Sequence, residues 1–484
     1  MIANRKRAMV SLVAAAGLAI SVAGCGSSEA EQNDSNDENT EESVEDNDSE
    51  NGENQENGEE DNGDDQENGE DDDLGFELKE EKWKLALGDG GALGSPAVYG
   101  EAIYVGGAGV FGSGLFAVDL QGNQLGQFED GSYPSTPAID ENGIVYAKST
   151  DGILRAFDPD GAVHGLGDEP IWSFDTDIEG DEVSIDSISS PAIGSDGLIY
   201  LVSVDEHVYA LAPQEDGSDP RIEWSFEMDL EGTYEEWGRP SSPTVGADGT
   251  VYAGGSIHGG EGSKLYALTP PTEGENGQEQ WSIAFDGSFQ GNPAMDAEQG
   301  LFVVTDTDVK RVDTSDGNPE NSIVELGDNS LVQMSPARGF NTPISEDGLA
   351  FVGTRATGNL RALDSTIEDD NREAWTFRPD HARDIVTTPV LDDDGMVYVA
   401  SDGTSNFDDD RHFLYAVDLE RGKADWAVEL DDPVHASDPV LFEGVIYVGT
   451  GGGDLYAIEA DGDAPAASEW PMYGRNHQRT SSMH

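Results

Sequence analysis

Eight times along this chain a small polar residue is followed by proline, and eight or nine positions later comes a tyrosine or phenylalanine. The prolines are Pro96, Pro137, Pro191, Pro243, Pro293, Pro343, Pro389 and Pro439, at steps of 41 to 54 residues. The aromatics are Tyr104, Tyr146, Tyr200, Tyr252, Phe302, Phe351, Tyr398 and Tyr447. Between them lie turns such as ENG, SDG, ADG, EDG and DDDG, and an Asn-Gly or Asp-Gly step between short β-rich runs marks a hairpin. A unit that returns at a near-constant period cannot bury its apolar face alone, so like units must pack on one another.

Each copy continues with a third run, LFAVD, LRAFD, VYALA, LYALT, VKRVD, LRALD, LYAVD and LYAIE, the last ending at Glu459. Most carry a fourth with tryptophan, at Trp172, Trp224, Trp281, Trp375 and Trp426, with Trp83 before the first copy and Trp470 after the last. Four short strands per unit and a period near fifty predict an all-β, eight-bladed β-propeller of four-stranded antiparallel blades. The tryptophans are read as core residues filling the wide outer gaps between blades. The two chain ends are expected to meet and close the ring.

The pattern resembles the quinoprotein-like propellers, also called PQQ-binding-like repeats, whose blades read roughly SPA, VYVG, LYALD and a tryptophan strand. The resemblance runs from Lys82 to Thr480, and the tail WPMYGRNHQRT, Trp470 to Thr480, looks like a terminal segment of that family. The family includes alcohol and sugar dehydrogenases that use pyrroloquinoline quinone (PQQ) with calcium, and also propeller lipoproteins that support envelope assembly. Many of the enzymes place a vicinal cysteine pair over the quinone. Here Cys25 is the only cysteine, so that pair is absent and the propeller has neither disulfide nor thiolate metal site.

The first residues read as an export signal: Arg5, Lys6 and Arg7, then an apolar run from Ala8 to Val22. The tetrad Val22-Ala23-Gly24-Cys25 resembles a bacterial lipobox, which implies cleavage after residue 24 and acylation of Cys25, with anchoring to the cell membrane facing outside the cytoplasm. Residues 29–73 hold 23 acids and no base, a composition too polar to offset chain entropy, so residues 25–74 are expected to form a disordered tether. The propeller then occupies 75–484. Its own charge stays strongly negative, within a total of −76 for the chain. That charge excludes nucleic acid as a partner and fits a saline or alkaline exterior, where salt screens self-repulsion.

Functional residues are sought on the face where fourth strands lead to first strands and second strands to third, because its loops are long. Trp237, Arg239, Arg338, His381, Arg383 and His435 are the candidate mouth residues; His207, His258, His412, Arg355, Arg411 and Phe340 share the face. The sequence has no GxSxG elbow, HExxH pair or GxxxxGK[ST] loop, and DDDG reads as a hairpin turn rather than a calcium loop. The leading reading is a monomeric, non-catalytic, lipid-anchored scaffold that docks a protein or envelope polymer and needs no cofactor. The alternatives are a PQQ- and calcium-dependent dehydrogenase and a glycan receptor using Trp237.

Overall fold

The computed structural model describes residues 75–483 apart from 88–90, 109–113, 159–165, 167–168, 177–188, 204, 215, 231–239, 257–261, 273, 275, 288, 290, 297–299, 306–307, 319–323, 326–341, 354–358, 365–372, 380–383, 386, 403–410, 435–436 and 469. Among the described residues there is no helix, and eight antiparallel sheets stand as blades in a ring. Blade 2 is typical: Ala138–Ile139 inside, then Val145–Lys148, Ile153–Phe157 and Trp172–Asp175 at the rim, each paired to the next. In blade 6 the inner strand shrinks to a single bridge between Ile344 and Ala350.

Both faces of the second and third strands are buried, as in Ile199–Val202 and Leu115–Val118, because each blade is sandwiched between neighbours. That is why these runs are continuously apolar instead of alternating. The Asp-Gly turn does more than reverse the chain. Asp140 accepts the amides of Asn142 and Ile144 with Oδ1, and its Oδ2 accepts the Tyr146 phenol at 3.1 Å. Tyr200 to Asp196 (2.9 Å) and Tyr398 to Asp392 (2.6 Å) repeat the lock. Burial, with the nearby carboxylate adding to it, holds all three phenols far above their ordinary range.

In six of the eight copies a polar pair precedes the proline, and the pair has two separate jobs. Its first member ties the chain to the second strand of its own blade: Ser135, Ser241, Thr387 and Ser437 accept the amides of Lys148, Gly254, Ala400 and Gly449 at 2.8 to 3.2 Å. Its second member ties one blade to the next. The amides of Thr136, Ser190 and Ser242 donate to Ser190, Ser242 and Asn292, and those of Thr388 and Asp438 donate to Asp438 and Ser95. These bonds run around the bore as a belt in two arcs, from blade 2 to blade 5 and from blade 7 through blade 8 to blade 1; between the arcs stands Thr342 of blade 6, whose hydroxyl has no partner among the described residues.

Tryptophans work at the outer radius. Each packs tilted on the aromatic of its own second strand, as in Tyr146–Trp172 at 5.7 Å and Tyr252–Trp281 at 5.8 Å between centroids. Such a pair contributes about 1 kcal/mol beyond its buried area.

The two ends of the propeller meet and close the ring, as the sequence leads one to expect. Trp83–Ala86 becomes the rim strand of blade 8, antiparallel to Asp454–Glu459, so Trp83 is that blade's tryptophan. Trp470 is not a rim residue: it is fully buried, and its carbonyl accepts the Ile344 amide of blade 6. Glu77–Lys79 adds a further strand, parallel to the rim of blade 7, with Phe76 set edge-on to Phe413 and Tyr415. Nothing in the repeat pattern announces that strand.

Candidate functional site

The C-terminal segment enters the bore and touches every blade. Carbonyls of Trp470, Pro471, His477, Gln478, Thr480 and Ser481 accept the inner-strand amides of Ile344, Leu391, Val98, Ile139, Ile193 and Val245, at 2.7 to 2.9 Å. The segment thus visits blades 6, 7, 1, 2, 3 and 4 in order. Tyr473 supplies blade 5: its phenol accepts Asn292 Nδ2 at 3.0 Å and donates to Ser190 Oγ of blade 3 at 3.3 Å. Those two blades are not neighbours, so the phenol stands inside the bore at the level of the polar belt.

Blade 8 is joined by Arg479. Its guanidinium donates to the carbonyls of Pro96, Asp438 and Pro439 at 2.9 to 3.0 Å, and to that of Tyr473. Burial pushes this guanidinium down to about 10, against the opposing pull of Asp438 and Tyr473, so it stays charged at neutral pH. Burial, with Arg479 adding repulsion, lowers His477, which packs on Phe442. To coil within so narrow a space the segment puts Arg475, Arg479 and Ser481 at φ of 71°, 59° and 51°. Non-glycine residues hold that left-handed region only where surrounding bonds over-determine it.

The inner strands end in their hairpin turns on the side where the tail lies, so the plug closes the face opposite the long loops. Of the six mouth candidates, Trp237, Arg239, Arg338, His381, Arg383 and His435 all lie outside the described residues, as do Cys25, His258, Arg355 and Phe340. Their described companions are engaged within blades. His207 Nδ1 sits 2.9 Å from Asp205 O with its ring stacked on Tyr209, His412 is buried in its strand, and Arg411 lies over Phe413.

Two cations that sequence reading passed over lie inside blade 2. Lys148 is buried and donates to Val202 O of blade 3 at 3.2 Å. Burial lowers it to about 8, with Asp205 opposing. Arg155 is held by Asp151 and Ser149 beneath Tyr133. The signal for Lys148 was present in the repeat: the other seven copies have Gly, Val or Ala at this place.

On the plugged face a cleft of about 680 Å³ opens along the seam of blades 2 and 3. Its walls include Glu141, Trp172, Pro213 and Gln214, and its inner end is the plug, at Asn476 and Gln478. Gln478 Nε2 donates to Asp140 O at 3.3 Å, so wall and plug are one hydrogen-bonded surface. Among the described residues no group of three or more His, Cys, Asp or Glu is placed to hold a metal ion.

The plugged end does not fit a quinone cofactor. PQQ is a planar tricarboxylate that needs bore space and unspent cations, whereas Tyr473 takes up the bore and four N–H groups of Arg479 are spent on main-chain carbonyls.

Ring, repeat and belt define the class: an eight-bladed β-propeller of PQQ-like repeats. The chain belongs to the family described as outer membrane protein assembly factor BamB, whose family model matches residues 168–366 and 356–481. Among solved structures it is similar to BamB from Moraxella catarrhalis, at 14% identity and a TM-score of 0.53 over 79% of this chain and 97% of that one. It is also similar to Saccharomyces cerevisiae Sqt1, at 10% identity and 0.57 over 78% and 98%, and to the computationally designed Ika8 protein, at 13% and 0.52 over 79% and 100%. At such identities these likenesses describe the fold. No curated protein sequence matches the chain.

Proposed function

We propose that this propeller is a non-catalytic docking scaffold for a protein, carried outside the cytoplasm on an acylated Cys25 and a disordered acidic tether over residues 25–74. The observation that carries the reading is the filled bore. A ring whose axis is taken up by Tyr473 and Arg479 offers its faces and rim for binding, and offers no through-channel. Membership in a family described as an assembly factor supports the same reading. The face opposite the plug, to which the sequence assigns Trp237, Arg239, Arg338, His381, Arg383 and His435, is one surface a partner would meet. The tether, stretched, reaches on the order of 150 Å, enough to present the ring through a wall.

The test is crosslinking of the full chain in its host envelope followed by pull-down, beside thermal unfolding with PQQ and calcium. The scaffold reading expects one stoichiometric protein partner and no thermal shift. A shift that needs both quinone and calcium, without a partner, sinks it.

A further inference from the structure

Four rim tryptophans share one seat. The indole N–H of Trp83, Trp281 and Trp375 donates to the carbonyl of Leu120, Thr314 and Leu419, at 2.7 to 3.0 Å, and that of Trp426 to the Asp461 carboxylate. The three carbonyls belong to turns between the third and fourth strands of the next blade, whereas Asp461 follows the third strand of blade 8, whose fourth strand is Trp83–Ala86. In three of these turns a glycine at positive φ, Gly122, Gly317 or Gly422, lies flat on the indole, so close that a Cβ would strike it at 2.6 to 2.9 Å. A tight polypeptide turn offering one carbonyl is therefore what this seat is shaped to receive.

Trp172 has the seat without the turn. The facing turn, in blade 3, follows Ala212 with Pro213 where the seated turns have Leu120, Thr314 and Leu419. Its glycine comes five residues after the strand, against three or four in the seated turns, and Gly217 packs on Ile171 instead of on the indole. Proline fixes φ at the point where the seated turns leave their strand. The Trp172 N–H has no acceptor among the described residues, and Trp172 is one of the walls of the 680 Å³ cleft described above. Blade 4 repeats the proline, at Pro270, and Trp224 beneath it is likewise without a partner, but that nitrogen is sealed from solvent.

We propose that the blade 2–3 cleft is a receptor for an exposed β-turn of a partner protein, which places a main-chain carbonyl on Trp172 as the chain's own turns do on its other tryptophans. The cleft is lined by Asp140 and Glu141 and by no lysine or arginine, so the turn it accepts is neutral or basic. Asp140 is spent on its own turn and on Tyr146, which leaves Glu141 at the exposed rim to meet a cation. This inference deepens the scaffold reading and rests on it.

The chain supplies its own probe: a head-to-tail cyclic peptide of the blade 7 turn, Val417 to Ala424, which carries Arg421 and Gly422. In the full chain labelled with 5-fluorotryptophan, Trp172→Phe assigns one of eight fluorine signals. Titration with the cyclic peptide is expected to move that signal saturably. Trp172→Phe, followed through amide shifts of Gln214 and Gln478, should bind at least about tenfold more weakly, having lost the hydrogen bond and part of the ring face on which the turn packs. Asn142→Tyr, an exposed change at the cleft edge, should block binding; deletion of Pro213 and Gln214 should seat the chain's own turn and do the same.

An unmoved Trp172 signal at millimolar peptide, an equal shift with a linear scrambled peptide, or a shift with cellotriose alone would overturn the proposal, the last in favour of a glycan site. Crosslinking separates the two readings. A partner retained equally by wild type and Asn142→Tyr leaves the scaffold and removes this seat, whereas no partner at all defeats the scaffold while the titration still decides the cleft.

Discussion

Three tryptophans that look alike in sequence should respond differently to the same substitution. Trp281→Phe removes an N–H that donates to Thr314 O, Trp172→Phe removes one without an acceptor, and Trp224→Phe relieves a buried donor that has no partner. The first variant is expected to lose about 1 kcal/mol more than the second, and the third to be the least costly, as measured by urea unfolding. Lys148 gives a prediction with a pH signature. Its folded value of about 8 lies below the ordinary 10.5, so below pH 8 the unfolded chain holds the ammonium more comfortably than the folded one. Stability should therefore rise between pH 8 and 10.5, and Lys148→Met should add roughly 2–3 kcal/mol at pH 7, a gain that fades across that window. A flat difference between variant and wild type from pH 7 to 10.5 would show that the burial of this ammonium carries no such penalty.

At the scale of elements, the plug and the rim strand are separate closures and should fail separately. Arg479→Met leaves carbonyls of Pro96, Tyr473, Asp438 and Pro439 without their donor inside the bore, a loss of about 3 kcal/mol or more. Removing Glu77–Lys79 should cost far less, since it deletes only an added outer strand on blade 7. Denaturant titration of the two variants checks that ranking. The blades were legible in the sequence because hairpin turns, prolines and aromatics are local and recur eight times. The belt was half legible: the polar pair before proline was visible, but its second member bonds a residue about fifty positions away, which periodicity cannot reveal. The plug was illegible for the same reason, since Tyr473 reaches Asn292, 181 residues away, and Arg479 reaches Pro96, 383 residues away. The cleft depends on departures in one turn, Pro213 and the added length before Gly217, that a search for what repeats discards.

For the whole molecule, a formal charge of −76 means that folding gathers like charges, and salt should relieve the strain. Melting temperature is expected to rise by several degrees between 0.1 and 2 M sodium chloride; a melting point independent of salt would show that local pairs such as Lys79–Asp461 and Arg421–Asp425 already balance the field. The fold turns on one claim above the others, that the chain's last residues are built into the ring as its axial plug. Hydrogen exchange of the intact chain tests this without any substitution. The amides of Arg475, Arg479, Ser481 and Met483, each bonded inside the plug or to Val245, should exchange only with global opening, as slowly as the inner strands. Exchange of those four amides within seconds, while the blades stay protected, would show a loose tail and an open bore, and would contradict the plugged ring.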